Sequence, residues 1–334
     1  MLYKLDSSDK IFIAGSSGMV GSAIKRKLSN YKLRGGGDSL RILTPTKNEL
    51  NLLNSNSVKN FFVHEKPTIV ILAAAKVGGI YANSQYPADF LIENLKIQTN
   101  VIESAWSNNA KKFIFLGSSC IYPKHANQPI REESLLKNEL ESTNEPYAIA
   151  KIAGLKLCES LRTQYNFDAI SLMPTNLYGP NDNYHPLNSH VVAALIRKFI
   201  IAKKHKLSSV TCWGSGSVFR EFMHVDDLAD AVIFCLENWN PSDKKAPKDS
   251  FGKNLNHLNV GTGKDIKIKK LANIIADIIK YDGEILWDTS KPDGTPKKQL
   301  DVTRINNLGW YAKIDLENGL SDTIKNLNYS QFTN

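Results

Sequence analysis

The feature that most constrains this chain is a glycine-rich segment between a short apolar run and a helical pattern. The apolar run at residues 10–14 reads Lys-Ile-Phe-Ile-Ala and predicts a buried strand. It leads directly into Gly-Ser-Ser-Gly-Met-Val-Gly at residues 15–21 and then into a helical pattern over 22–28. Glycines at such a turn let the backbone approach a diphosphate at the helix N-terminus. The segment therefore predicts a dinucleotide site, and the alternative is a tight turn that binds nothing.

Apolar runs and helical stretches then alternate through the first half of the chain. We predict further strands at 40–44, 68–72, 112–116 and 169–173, and helices at 55–66, 87–108 and 147–164. This alternation predicts an α/β fold with a Rossmann-type, doubly wound parallel sheet over residues 1–178. Beyond Tyr178 we predict helices at 190–205 and 268–279, a helix ending near Leu236, and strands at 210–213 and 258–261. We assign residues 179–334 mainly to a smaller C-terminal α/β substrate-binding domain, with a segment near 218–238 returning to the first domain.

A tyrosine and a lysine stand one helical turn apart at the start of the helix predicted at 147–164. Tyr147 and Lys151 therefore share a face of that helix. A lysine cation beside a tyrosine favours the phenolate and lowers its pKa, so the pair predicts a proton donor for a carbonyl group that is being reduced. Ser118 follows the strand predicted at 112–116, where its hydroxyl can bind the same carbonyl oxygen. The alternatives are surface packing for the pair and a serine-rich turn for Ser118.

The residues after the second predicted strand bear on the choice of cofactor. An NAD site usually places an acid near this strand end to hold the ribose 2′-hydroxyl. Here the strand is followed by Pro45, Thr46 and Lys47, and no acid occurs before Glu49. Lys47, Thr46 and Ser17 can instead receive a 2′-phosphate, which favours NADP over NAD.

Composition and charge exclude several classes of protein. The 334 residues are 42% hydrophobic and 22% charged, as in ordinary globular proteins, and 42 basic against 33 acidic residues give a net charge of +9. The basic residues are scattered, so we expect phosphorylated small molecules rather than nucleic acid as partners. The four cysteines lack metal-ligand spacing, so we expect reduced thiols and no metal site. No apolar run approaches about 20 residues and the first residues lack a signal core, so we expect a cytoplasmic protein without membrane spans.

Several motifs together resemble the GDP-L-fucose synthases, which are extended short-chain dehydrogenases. The glycine segment and the tyrosine–lysine pair are shared by all short-chain dehydrogenases. More specific are Ser-Ser-Cys-Ile-Tyr-Pro at 118–123, Pro-Thr-Asn-Leu-Tyr-Gly-Pro at 174–180 and Asn-Ser-His at 188–190. Further stretches of the resemblance lie at 73–79, 144–160, 213–216, 220–227, 259–263 and 291–295, so it spans nearly the whole chain.

The resemblance implies a reaction in two stages on a GDP-sugar that carries a ketone at carbon 4. Cys120 and His190 would act as base and acid while carbons 3 and 5 are inverted, and which residue serves which carbon stays open. Tyr147, Lys151 and Ser118 would then serve the reduction of the ketone. The residues implied to bind NADP(H) are Gly15, Ser16, Ser17, Gly18, Met19, Val20, Gly21, Leu116, Gly117, Ser118, Ser119, Lys151, Pro174, Thr175, Asn176, Leu177 and His190. Those implied to bind the substrate are Lys198, Trp213, Arg220 and Asp293.

The sequence departs from the family pattern at two places that concern the cofactor. The family often has a histidine followed by a basic or hydroxyl residue in the glycine loop and an arginine after the second strand, where this chain has Ser16, Ser17 and Pro45. Lys198 stands where arginine is also seen. By resemblance we also expect a homodimer formed through the two long helices predicted at 87–108 and 147–164.

Other readings keep part of this chemistry. A sugar-nucleotide 4-epimerase or 4,6-dehydratase would keep its cofactor bound and regenerate it. A dehydratase needs an acid where this chain has Cys120, which argues against that activity. A cofactor-binding regulator without catalysis would lack the tyrosine or the lysine, and both are present. His224 and Asp226 fit helix capping and receive no chemical role.

Overall fold

The computed structural model describes residues 3–33, 39–327 and 332. Its strands, numbered along the chain, are β1 Lys10–Ala14, β2 Arg41–Leu43, β3 Ile69–Leu72, β4 Lys112–Leu116, β5 Ala169–Pro174, β6 Asn176–Tyr178, β7 Ser209–Trp213, β8 Phe219–His224, β9 His257–Val260, β10 Asp265–Lys267, β11 Glu284–Asp288 and β12 Lys297–Lys298. Its α-helices are α1 Met19–Ser29, α2 Ser55–Glu65, α3 Ile80–Gln85, α4 Pro87–Ser107, α5 Glu145–Tyr165, α6 Val191–Lys204, α7 Val225–Asn238, α8 Ile268–Ile279, α9 Thr303–Leu308 and α10 Leu316–Lys325.

Six parallel strands form the main sheet in the order β2-β1-β3-β4-β5-β9. The predicted doubly wound α/β fold is therefore confirmed. The chain moves outward from β1 to β2 on one side, and then returns to add β3, β4 and β5 on the other. Ligands of open α/β sheets bind outside the carboxyl ends of the strands where the strand order reverses, which here is the edge beyond β1 and β3.

The central strands read as continuous apolar runs because helices cover both faces of the sheet. On one face Ile11 and Ile13 pack with Ile24 of α1 and Val232 of α7. On the other face Phe12 belongs to a second core that includes residues of α2, α4 and α5. Alternate residues of β1 thus serve opposite cores, as the two-residue period of a strand requires.

A second unit is built around β8, which pairs with β6, β10 and β12. Its core, which includes Phe199, Leu271, Ile275 and Leu320, joins α6, α8 and α10. We did not predict β8, because Arg220 and Glu221 interrupt its apolar pattern. Glu221 is fully buried, and its carboxylate accepts hydrogen bonds from backbone N–H groups, including that of Leu300.

Two segments from the second half of the chain pack on the first half. Strand β9 forms the edge of the main sheet beside β5. Helix α7 packs against α1, where Arg26 pairs with Asp226 at 2.6 Å. None of the helices in the described residues is both long enough and apolar enough to cross a membrane.

Candidate active site

The loop after β4 supplies the first two candidate catalytic side chains. Ser118 begins a 3₁₀ turn at Ser119–Ile121, and its hydroxyl accepts a hydrogen bond from the Cys120 N–H at 3.2 Å. This turn directs both side chains to the carboxyl edge of the sheet. Ser119 is 2% exposed, so it faces inward and supports the turn.

Helix α5 brings the tyrosine and the lysine to the same edge. Pro146 lies in its first turn, where the missing N–H leaves no helical hydrogen bond unmade. Tyr147 hydrogen-bonds Ser118, and its ring packs edge-on against Phe90 at 6.4 Å between ring centres. Lys151 is only 4% exposed and donates to the carbonyl oxygen of Leu116 at 2.9 Å.

The prediction that Lys151 lowers the pKa of Tyr147 is wrong for this arrangement. Burial raises the pKa of Tyr147, and the neighbouring Cys120 raises it further, against the hydrogen bond from Ser118 that lowers it. The Lys151 ammonium lies 5.9 Å from the centre of the Tyr147 ring and is directed to the Leu116 carbonyl. Tyr147 therefore holds its proton as a neutral phenol, which is the form that can donate it.

Cys120 has polar neighbours on two sides of its sulfur. The ammonium of Lys298 lies 3.3 Å from its Sγ, and the side-chain amide of Asn144 lies 3.6 Å away. Burial favours the neutral thiol, but the Lys298 cation and the Ser118 hydroxyl outweigh it, so the pKa of Cys120 is lowered. The other cysteines, Cys158, Cys212 and Cys235, are buried, and all four are free.

Lys298 of the second unit meets Cys120 of the first, and we call the space around this contact the cleft. His190 reaches the cleft from the N-terminus of α6, near Lys298. It occupies the capping position of that helix, but its side chain makes no capping hydrogen bond. The loop before it is fixed by the Gly79 N–H, which donates to the Asn188 carbonyl at 3.1 Å. The residue is exposed, and the surrounding protein, together with the Lys298 cation, lowers the pKa of its ring. At neutral pH the free protein therefore holds His190 as a neutral imidazole.

The residues implied to bind the substrate form a second cluster across the cleft. Trp213 is 44% exposed, and the Lys198 and Lys291 ammonium groups lie 5.4 and 5.7 Å from its ring centre. Arg220 donates to the backbone carbonyl of Asp293 at 3.0 Å. The Asp293 carboxylate accepts from the N–H and the hydroxyl of Ser215, at 2.8 and 2.7 Å, which makes it a fixed acceptor in a cationic rim.

The glycine loop forms a cradle that side chains would fill. A Cβ on Gly15 would lie 2.7 Å from the backbone of Ala74, and one on Gly21 would lie 2.1 Å from the carbonyl oxygen of Gly15. Gly18 begins α1, and no side chain caps that helix. The exposed N-terminus of a helix beside a glycine loop is suited to a diphosphate, so these residues fit the dinucleotide predicted from the sequence.

Other residues implied to line the cofactor make their contacts within the protein. The Thr175 hydroxyl and the Asn176 amide both donate to the carbonyl of Glu221, at 3.1 and 2.8 Å. Ser16 is 8% exposed, whereas Ser17 is exposed. Glu49 accepts from the Thr46 N–H at 2.7 Å, so this acid holds its own loop rather than reaching for a ribose. Met19, Val20, Gly117, Pro174 and Leu177 lie on the same carboxyl edge of the main sheet or at the helix that follows it.

A cavity of about 390 Å³ elsewhere in the protein carries none of this chemistry. It is lined by Arg131, Lys248, Asp301, Arg304 and neighbouring residues. Arg304 there is bound to Glu132 and Glu133, so its charge is already neutralised. The candidate catalytic residues lie outside it, in the open cleft between the two units.

Comparison with known proteins identifies the group to which this site belongs. Residues 11–260 match the model of the NAD dependent epimerase/dehydratase family. The chain belongs to that family. GDP-L-fucose synthase from Escherichia coli strain K12 is 52% identical to it, covering 95% of this chain and 96% of the relative. GDP-L-fucose synthase 1 from Arabidopsis thaliana is 51% identical, covering 95% and 93%.

The fold is also similar to that of a solved GDP-sugar reductase. A GDP-mannoheptose C4 reductase from Campylobacter jejuni with NADP bound has a TM-score of 0.84 and 36% identity, covering 96% of this chain and 99% of that one. The resemblance drawn from the sequence motifs is thereby confirmed.

Sequence reasoning missed two neighbours of the sulfur. Lys298 lies 178 positions after Cys120 in the sequence. No motif links the two residues, so the contact could not be predicted. Asn144 stands at the capping position of α5, but its side chain is turned to Cys120 instead of the helix. The predicted capping of α7 by His224 is confirmed. The His224 Nδ1 accepts a hydrogen bond from the Asp226 N–H at 3.2 Å.

Proposed function

We propose that this protein converts GDP-4-dehydro-6-deoxy-D-mannose to GDP-L-fucose with NADPH, by inverting carbons 3 and 5 and then reducing the ketone at carbon 4. The observation that carries the proposal is the convergence of Ser118, Cys120, Tyr147 and Lys151 at one end of β4. Relatives above 50% identity along nearly the whole chain carry the name GDP-L-fucose synthase.

The inversions require a base and an acid because the ketone makes the neighbouring C–H bonds acidic. Cys120, with its lowered pKa, supplies a thiolate that can remove such a proton. The negative charge then spreads onto the carbonyl oxygen, where the hydroxyls of Ser118 and Tyr147 can stabilise it. His190 returns a proton on the opposite side, for which it must first be protonated.

The reduction uses the proton of Tyr147. NADPH, when bound, supplies the hydride that is added to carbon 4. As negative charge develops on the oxygen, the neutral phenol of Tyr147 donates its proton, and Ser118 holds that oxygen by a hydrogen bond. Lys151 bridges the helix and the strand end. When the cofactor is bound, the Lys151 cation would hold its ribose.

The glycine loop and the polar residues after β2 support NADP(H) as the cofactor. Residues 15–21 would hold its diphosphate, and Ser17 and Lys47, both exposed, would receive a 2′-phosphate. The carboxyl ends of β4 and β5, with Leu116 to Ser119 and Pro174 to Leu177, would line the nicotinamide. The C. jejuni reductase described above has NADP bound.

The cationic rim supports a GDP-sugar as the substrate. Lys198 and Arg220 would face the diphosphate, since charge-assisted hydrogen bonds to phosphate are strong. Trp213 would pack against the nucleotide, and the fixed carboxylate of Asp293 would accept hydrogen bonds from it.

We keep the division of the chain into a cofactor domain at 1–178 and a mainly substrate-binding domain at 179–334 as part of this proposal.

We also propose a homodimer formed through α4 and α5, because Ile92 and Ile149 on these helices are 50% and 43% exposed. Size-exclusion chromatography with light scattering tests this assembly, and a monomer at micromolar concentration rejects it. The free cysteines agree with a cytoplasmic site.

The test of the function is a reaction of GDP-4-dehydro-6-deoxy-D-mannose with NADPH. We expect one NADPH oxidised for each sugar consumed, and a product identified by NMR as GDP-L-fucose. No loss of NADPH absorbance with this sugar would reject the proposal. Tightly bound NAD in the purified protein, with interconversion of sugars at carbon 4 and no net cofactor use, would favour the 4-epimerase alternative.

A further inference from the structure

Lys298, the lysine beside the Cys120 thiol, comes from a distant part of the chain. Its backbone is hydrogen-bonded on both sides. Lys298 lies on β12, where it pairs with Arg220 of β8. On the other side of β12, Gln128 accepts from the Gln299 N–H at 2.9 Å and donates to the Lys297 carbonyl at 3.0 Å. Just beyond β12 the buried Glu221 accepts from the Leu300 N–H at 2.7 Å. The backbone from which the Lys298 side chain extends is therefore held on both sides, by β8 and by Gln128.

The two lysines of β12 face opposite sides, as successive strand residues do. Lys297 pairs with Asp265 at 3.2 Å. Lys298 instead extends to the Cys120 Sγ at 3.3 Å. Among the described residues, the contacts of Lys298 include no carboxylate within ion-pair distance, so the sulfur is its nearest anionic partner when ionised.

Charged and titratable groups approach the sulfur from several elements. They are Lys298 from β12, Arg220 from β8, Glu141 from the loop before α5, and Tyr147 from α5 itself. Glu141 is buried and opposes a negative sulfur, but its carboxylate is bound to Thr143. Arg220 is engaged with the carbonyls of Phe219 and Asp293. Lys298 is thus the cation that contacts the sulfur directly.

We propose that Lys298 is a positioning residue that holds Cys120 as the reactive thiolate and so enables proton removal beside the ketone. The proposal deepens the function proposed above, and its second half depends on that function. A cation this close in a partly enclosed site favours the charged sulfur strongly, because water screens the pair only weakly. The amide of Asn144 adds a hydrogen bond from a second side.

Lys298 also acts on His190, the proposed acid of the inversion step. Lys298 faces His190 and opposes a second positive charge on its ring. Lys298 therefore favours the charged form of Cys120 and the neutral form of His190.

The first test measures the thiolate without any sugar. Alkylation by iodoacetamide follows the thiolate fraction, and Cys120 is the one cysteine of the four that is not buried. We expect Lys298→Met to raise the pH midpoint of alkylation by about one unit or more and to slow alkylation near neutral pH by about tenfold. Lys298→Arg should restore most of the wild-type profile.

The controls separate this effect from a loss of structure. Lys297→Met removes the neighbouring lysine, which faces Asp265, and should leave the midpoint unchanged. Cys120→Ser should abolish the alkylation that is followed. An unchanged midpoint in Lys298→Met, in protein that melts at the wild-type temperature, overturns the proposal. An equal shift in Lys297→Met also overturns it, because the effect would then be a general loss of charge.

The second test uses the GDP-4-dehydro sugar in deuterated water. We expect Lys298→Met to slow deuterium entry beside the ketone by about tenfold, with a smaller change in KM. A raised KM with a normal alkylation profile would show that Lys298 binds the diphosphate instead, and would overturn the proposal. Since alkylation requires no sugar, a failure of the proposed function leaves the first test intact, and the two failures can be distinguished.

Discussion

The ammonium of Lys151 donates to the carbonyl oxygen of Leu116 at 2.9 Å and stands 5.9 Å from the centre of the Tyr147 ring. The lysine thus joins helix α5 to the last residue of β4, and it is the strand end, not the phenol, that receives its hydrogen bond. Burial without a carboxylate partner lowers the pKa of Lys151 to about 8. The cation at the bottom of the cleft is consequently sensitive to moderately alkaline pH.

NADPH binding should weaken as pH rises through about 8, because Lys151 is charged below that value and neutral above it. Fluorescence titration of NADPH at a series of pH values measures this. In Lys151→Met the affinity should be lower and should not change over the same range. Lys156→Met, which alters an exposed lysine paired with Glu159 on the same helix, is the matched control. A wild-type affinity that stays constant through this range would contradict the role given to the cation.

Cys120→Ser should stop deuterium entry from solvent at carbon 3 while the ketone can still be reduced. A serine hydroxyl is far less acidic than this thiol, so the base is lost while Ser118 and Tyr147 remain. Tyr147→Phe should have the opposite effect, with exchange retained and reduction slowed by about a hundredfold or more. NMR of the sugar and NADPH absorbance follow the two steps separately. Normal exchange in Cys120→Ser would show that the base lies elsewhere.

Gly18→Ala should impair cofactor binding without harming the fold. A Cβ at Gly18 would lie 3.6 Å from the Gly15 carbonyl oxygen, an ordinary contact, but it would project where the diphosphate approaches the helix. We expect NADPH affinity to fall by about tenfold or more with little change in Tm. Gly21→Ala, whose Cβ would overlap the Gly15 carbonyl, should lower Tm as well. Equal NADPH affinity in Gly18→Ala and wild type would place the diphosphate elsewhere.

Trp213→Ala should raise the KM for the GDP-sugar and spare NADPH binding. Removing an aromatic platform for a nucleotide costs about 1–3 kcal/mol, which corresponds to about tenfold to a hundredfold. Tyr311→Ala, at an aromatic residue that is 57% exposed and outside the cleft, is the control. Steady-state kinetics with separate NADPH titrations distinguish the two binding sites. An unchanged KM would remove Trp213 from the substrate site.

Arg304→Met should destabilise the fold by about 3 kcal/mol, because it leaves the buried carboxylate of Glu132 and the partly buried one of Glu133 without their cation. Glu132 and Glu133 are 1% and 9% exposed, and Arg304 donates to Glu133 at 2.8 Å. Urea denaturation measures the loss, and Arg131→Met, at a residue that is 54% exposed near the same glutamate, should cost little. A loss in Arg304→Met no larger than that in Arg131→Met would contradict this account.

The ion pair between Arg304 and Glu133 predicts that the stability of the fold depends on pH in acid. Arg304 and the surrounding N–H groups outweigh burial and lower the pKa of Glu133 to about 2. A carboxylate whose pKa is lowered in the folded state contributes stability above its ordinary value of about 4, and this contribution is lost as pH falls toward about 2. The wild type should therefore lose more stability than Arg304→Met over this interval.

The main sheet was predictable because its central strands are nearly continuous apolar runs. The predictions for β1 and β4 match the observed bounds, as does that for α8. Strand β8 was missed because Arg220 and Glu221 interrupt its apolar pattern. Arg220 belongs to the cationic rim, and Glu221 accepts hydrogen bonds inside the second unit. The short helix α3 was missed because its six residues are too few to show a helical pattern, and the helix predicted at 87–108 begins only where α4 does.

Within the candidate site, residue types and local spacing gave Ser118, Tyr147 and Lys151, which lie close together at one strand end. The pKa of Tyr147 could not be obtained in this way, since it depends on burial and on the direction in which Lys151 points. The Lys298–Cys120 contact had no local signal either. It arises from the pairing of β12 with β8, which one-dimensional patterns do not record.

The edge strand β9 means that the nucleotide-binding half cannot be obtained by cutting the chain once. A fragment that stops near residue 178 would expose the edge of β5 and leave α1 without the helix that covers it. Synthesis must proceed to at least residue 260 before the sheet gains its last strand. Anyone seeking an isolated cofactor module would have to graft residues 225–260 onto it rather than simply truncate.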